Sequence, residues 1–112
     1  MVPTKDQIEL INRVYARYRK SKKMLGLYKQ GYTCFFEGEA EEDRKAQLKK
    51  EQDFVNFVNQ VYLLLSTDSR LIIKNDYLLQ REDFWWEELY SRSTYYRRRS
   101  QALRDFIYYY SI

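Results

Sequence analysis

"LYSRSTYYRRRSQALRDFIYYY", Leu89 to Tyr110, sets three consecutive arginines between tyrosines, directly after a serine/threonine cluster. Its reading decides the carboxyl half of the fold. If Ser91 caps a helix, Arg92, Ser93 and Thr94 fill the first turn, where free amide donors and partial positive charge suit a phosphate. At helical spacing Tyr95, Ala102, Phe106 and Tyr109 share one face, with Leu103 beside them. Ser93, Arg97, Ser100 and Arg104 lie opposite, with Thr94, Arg98 and Gln101 adjacent. A helix buried through tyrosine, alanine and phenylalanine, and showing serine, threonine, glutamine and arginine, fits a DNA major groove. Arginine can pair two hydrogen bonds with guanine, and threonine's methyl can meet thymine's.

The rest of the chain constrains that reading. At 112 residues it fits a single domain spanning 1–112 with one modest core. Three glycines and one proline, against twelve tyrosines and six phenylalanines, favour long helices over a hairpin-rich fold. The absence of histidine removes the commonest general base and the commonest metal ligand together. Cys34 is alone, so no intrachain disulfide and no cysteine zinc site can form. Carboxylates are plentiful, but none are spaced as an acid/base pair or metal cluster, so neither an enzyme nor a cofactor or metal is expected. No signal peptide opens the chain, and the longest apolar run, Val61 to Leu65, is far too short for a bilayer. A cytoplasmic protein without a membrane partner is the expectation.

Charge is distributed unevenly. The net charge is +6 up to Phe36, −3 from Glu37 to Asn56 and +1 from Phe57 onward. An acidic middle thus separates a basic front from a locally basic end, which matters to an anionic partner more than the total of +4 does.

Read for organisation, the chain falls into 1–38, a basic helix and loop; 39–65, a charged helix turning apolar; and 66–112, a helix-turn-helix unit. Thr4 and Gln7 stand at capping-box spacing, and Ile8, Ile11, Val14 (or Tyr15) and Tyr18 predict the buried stripe that follows. Gly26 and Gly31 bracket a break, so "GLYKQGYTCFFEG" reads as an irregular loop or short extended piece. One long helix is expected from about Ala40 to Leu65, with Glu41 and Lys45 paired and Phe54, Phe57 (or Val58), Val61 and Leu64 or Leu65 inward. Ser66-Thr67-Asp68 stops it and caps a shorter helix through Leu71, Ile72 and Tyr77. A further short helix from near Asp83 should carry Trp85, Trp86, Leu89 and Tyr90, a tight turn away from the final helix.

The carboxyl half resembles region 4 of sigma-70-type factors and, more closely, the ArpU/RinA-like phage transcriptional regulators. The residues that carry the likeness are Ile72, Ile73, Tyr77, Ser91, Ser93, Thr94, Tyr95, Tyr96, Arg97, Ala102, Leu103 and Phe106. It implies an all-α protein of about five helices and a sequence-specific double-stranded DNA-binding transcription regulator, acting alongside RNA polymerase. Two positions depart from the pattern. Leu89-Tyr90-Ser91 lacks the family's glycine before the capping serine, and Arg99 stands where the family has an aliphatic core residue.

On this reading Ser91 is the helix cap, and Arg92, Ser93, Thr94, Arg97, Arg98 and Gln101 form the DNA-binding set, with Arg92 a phosphate clamp. Arg13, Arg17 and Lys20 are auxiliary backbone contacts, although the same basic side reads equally as a solvated face. Arg99 reads as structural, lying along aromatic rings or paired with Glu87, Glu88 or Asp83. Trp85 and Trp86 read as core with at most one partly exposed, and the terminal tyrosines as packing or a homodimer seam. Exposed arginine faces are commonly only solvated. Two other functions therefore stand beside DNA binding: a helical protein-interaction module, marked by exposed aromatics, and RNA binding, marked by preference for single strands.

Overall fold

The computed structural model describes residues 2–31 and 40–112. Four helices make up the described chain: α1 (Lys5–Lys29), α2 (Glu41–Leu64), α3 (Thr67–Ile72, continuing as a π-helical stretch Ile73–Leu78) and α4 (Arg92–Ser111). Among the described residues there is no strand, so the all-α class holds.

Each helix starts where a side chain can satisfy its free amides, α2 excepted. At α1, Thr4 Oγ1 accepts from the Gln7 amide at 3.2 Å while the Gln7 side chain accepts from the Thr4 amide at 2.9 Å, the reciprocal box its spacing predicts. Ser66 caps α3 by accepting from the Ser69 amide at 3.2 Å. The helix α1 runs through Gly26 to Lys29, and Gly31, just past its Gln30 cap, takes a left-handed φ of +93° that favours glycine. The expected break at Gly26 is therefore corrected. One internal glycine costs a helix about 1 kcal/mol, and the apolar stripe continues across it, with Met24 and Leu25 buried before it and Leu27 and Tyr28 half-buried after it. Cys34 and the remainder of the loop read from the sequence lie outside the described residues.

A single core unites all four helices. It gathers Ile11, Val14, Tyr15 and Tyr18 from α1; Phe54, Val55, Val58 and Val61 from α2; Ile72, Ile73 and Tyr77 from α3; and Ala102, Leu103 and Phe106 from α4. On α2 the open choices resolve to Val58 and Leu65, leaving Phe57 and Leu64 exposed. Arg19 locks the front of the chain to the back. Its guanidinium donates to the Tyr77 carbonyl at 2.7 Å, capping the end of α3 from a helix almost sixty positions away.

The π-helical stretch has a local cause. Asn75 Nδ2 donates back to the Leu71 carbonyl at 2.8 Å, competing with the ordinary backbone ladder, and the chain closes through Leu79 N–H to Lys74 C=O at 2.8 Å. The widened turn lets Ile72, Ile73, Asn75 and Tyr77 all face inward.

The fifth helix expected near Asp83 does not form. Residues 85–89 make only overlapping hydrogen-bonded turns, closed by Glu87 N–H to Phe84 C=O and by Leu89 and Tyr90 N–H to Trp86 C=O, and a connection of residues 79–91 replaces the tight turn before α4. One turn of helix is costly to nucleate alone, and this segment is pinned by side chains instead. Trp85 Nε1 donates to Asp76 Oδ1 at 2.8 Å, the Tyr90 hydroxyl to Asp68 at 2.7 Å, and Gln80 and Phe84 take left-handed backbone angles of +53° and +50°. Trp85 and Trp86 are both half-buried, against the expectation that at most one would be.

Candidate nucleic-acid interface on α4

The amino end of α4 is built as its sequence predicts. Ser91 Oγ accepts from the Thr94 amide at 3.3 Å and donates to Thr94 Oγ1 at 2.9 Å. Tyr95, Ala102, Leu103 and Phe106 are buried, while Arg92, Ser93, Arg97, Arg98 and Gln101 are exposed and Thr94 is half-buried. Binary patterning at the 3.6-residue period thus fixes which side of α4 meets solvent.

Side chains of α3 and its π-helical continuation hold α4 in place, a role the sequence reading did not assign to them. Asp76 accepts from Trp85 with one oxygen and from the Tyr95 hydroxyl with the other. Burial, then the bond to Asp76, pushes the Tyr95 hydroxyl well above its ordinary pKa of 10.0. Asp68 accepts from the Tyr90 hydroxyl at 2.7 Å and from Arg98 at 3.0 Å. Tyr77 accepts from Arg99 Nε at 3.2 Å and Nη2 at 3.0 Å, and the guanidinium lies 5.9 Å from the Tyr77 ring centre. Arg99 is therefore structural, as expected, and its hydroxyl partner is Tyr77 rather than Glu87, Glu88 or Asp83. A signal existed for the two aspartates. They are the only carboxylates between Phe54 and Arg81, so aromatic donors folded against that stretch have no other carboxylate there to meet.

The expected DNA-binding set divides by how free each member is. Arg97, Arg98 and Gln101 come together around a shallow depression of about 270 Å³. Arg97 makes no ion pair among the described residues. Arg98 is half committed through Asp68. Gln101 donates to Asp105 at 2.7 Å and accepts from Arg104 at 2.7 Å, so both ends of its amide must exchange partners before meeting a base. Arg92 stands apart, its guanidinium 5.9 Å from the Tyr96 ring centre at the helix entrance, and Ser93 is open to solvent.

The auxiliary residues of α1 go elsewhere. Arg17 lies over the Phe54 ring at 3.8 Å and, with Lys20 and Lys23, lines the groove between α1 and α2. Arg13 is exposed. Arg17 and Lys20 thus border a different depression from the one on α4.

Among the described residues no group of three histidine, cysteine, aspartate or glutamate side chains gathers as metal ligands would. No helix among them is long and apolar enough to cross a membrane. No family model, curated protein or solved structure matches this chain, so the reading of its surface rests on its own geometry.

Proposed function

We propose that this chain is a sequence-specific double-stranded DNA-binding regulator of transcription that reads the major groove with α4. One observation carries the reading: the outward face of α4 presents Arg97, Arg98 and Gln101 around one shallow depression, with Ser93 also open to solvent, on a helix anchored from behind by Asp76 and Tyr77. Rigid support with mobile donors in front is what base reading requires. Arg97 is the principal base contact, Arg98 exchanges Asp68 for DNA, and Arg92 meets a phosphate at the helix entrance. The proposed resemblance to sigma-region-4 and ArpU/RinA-like regulators points the same way and adds RNA polymerase as a companion. The long connection before α4 differs from the tight turn of that motif, so α3 with its π-helical end, not a short helix at 83–90, takes the place of the supporting helix.

The test is fluorescence-anisotropy binding to a randomised duplex pool and to matched single strands across salt, for wild type and Arg97→Ala/Arg98→Ala. Duplex binding with a steep salt slope, lost in the double variant, is the expected result. Preference for single strands would favour the RNA reading, and no binding at low salt by monodisperse protein would sink the proposal.

A further inference from the structure

The connection Leu79–Tyr90 differs chemically from the rest of the molecule. It carries four carboxylates and one arginine, a net −3 on a chain of +4, so everything else sums to +7. Asp83 is neutralised locally, because the Arg81 guanidinium bonds to it and holds its carboxyl below the usual range. Glu82, Glu87 and Glu88 are exposed and form no ion pair among the described residues.

Among these carboxylates stands an exposed aromatic surface. Phe84 is 62% exposed and Leu89 59%. The Phe84 ring meets Trp86 at 6.2 Å, Trp86 stacks on Tyr95 at 4.4 Å, and Tyr95 meets Tyr96 at 5.2 Å, forming a continuous run of rings from the loop onto α4. Phe84 keeps its outward position with a backbone φ of +50°, a region that a bulky side chain rarely occupies.

We infer that this surface docks a basic segment of a partner protein, with lysine or arginine heads between Glu82, Glu87 and Glu88 and an apolar anchor or cation against Phe84 and Trp86. Charge complementarity selects this occupant. Unpaired carboxylates repel a nucleic-acid backbone and attract cations, and cations also favour aromatic faces. A second copy is the weaker choice. Apart from Arg81, which is paired with Asp83, its described basic groups lie on the helices rather than on this loop, so self-docking would run head to tail and stay open-ended. The inference uses residues outside the proposed DNA-reading set and does not depend on that reading.

The experiment titrates the full chain with a short helical peptide of leucine and lysine, following tryptophan fluorescence. Both of the chain's tryptophans, Trp85 and Trp86, lie in this loop. Controls are an alanine-lysine peptide, a leucine-glutamate peptide and a single-stranded oligonucleotide. Saturable binding of the leucine-lysine peptide, weakening with salt, is expected. Phe84→Gly suits the left-handed backbone and keeps the fold, yet should weaken binding by roughly fivefold, the worth of one exposed cation–π contact. Glu82→Gln/Glu87→Gln/Glu88→Gln should weaken it by about tenfold or more while leaving the melting temperature near wild type. Equal binding by wild type and both variants overturns the inference. So does tighter binding of the oligonucleotide at these tryptophans, or self-association in sedimentation that the glutamine variant abolishes.

Discussion

The two arginine-rich helices, α1 and α4, look alike in sequence and use their arginines differently. On α1, Arg17 covers Phe54 and Arg19 donates to the Tyr77 carbonyl, so two guanidinium groups serve the fold. On α4, Arg99 alone turns inward to Tyr77, while Arg97 faces solvent without an ion pair among the described residues and Arg98 is held at the surface by Asp68. The neighbours decide the difference. An arginine beside an open carbonyl end or an aromatic ring from another helix is drawn into structure. One without such a neighbour stays available to a ligand.

The contrast can be broken by mutation. Arg19→Ala should have the largest effect on stability, about 2 kcal/mol, because it removes a charged donor and leaves the Tyr77 carbonyl unpaired. Urea unfolding would measure it, and duplex affinity at temperatures where the variant is folded should not change. A wild-type midpoint would mean that the α1 arginines are as dispensable as a solvated face. Arg97→Ala should do the reverse, lowering specific duplex affinity by about 1–2 kcal/mol, roughly tenfold or more, with stability within about 0.5 kcal/mol of wild type. Arg17→Ala should cost about 1 kcal/mol through its cation–π contact with Phe54, measured by the same unfolding curves.

Arg98→Ala is expected to lower stability by no more than about 0.5 kcal/mol, an effect that vanishes in high salt, because its pair with Asp68 is half exposed. A larger, salt-independent loss would move Arg98 into the structural class. The smallest effect at neutral pH is that of the buried tyrosines, which is none. Burial raises the hydroxyls of Tyr15, Tyr77 and Tyr95 above the ordinary value of 10.0, so the folded state holds these protons longer than the unfolded chain. Stability should therefore be constant up to about pH 10 and fall as pH rises beyond it. Denaturant midpoints in alkaline buffers would check the sign.

Much of the architecture was legible because it rests on local rules. Thr4, Ser66 and Ser91 announce helix starts, and the apolar period places Ile11, Val58, Val61, Ala102 and Phe106 inside. Gly26 misled because a glycine's cost is small against a continuing buried stripe. The 83–90 segment misled for a different reason. Its tryptophans suggest an amphipathic helix, yet Trp85 is held by Asp76 and Trp86 stacks on Tyr95, tertiary contacts that helical periodicity does not encode. The candidate face of α4 could be read from periodicity. The loss of Gln101 to Asp105 and Arg104, and of half of Arg98 to Asp68, could not, because partners appear only once helices pack.

The bond from Arg19 to Tyr77 also bears on how this molecule could be dissected or borrowed. A fragment starting at Thr67 would hold all of α3 and α4, and on paper would look like a portable recognition unit. It would lack the cation that closes the end of α3, and Ile72, Ile73 and Phe106 would face water instead of Ile11, Tyr15 and Val58. Anyone grafting the α4 surface onto another scaffold must therefore supply a substitute for α1 as well. Nicking the chain between α1 and α2 is the gentler cut, since the two pieces would still carry complementary halves of one core.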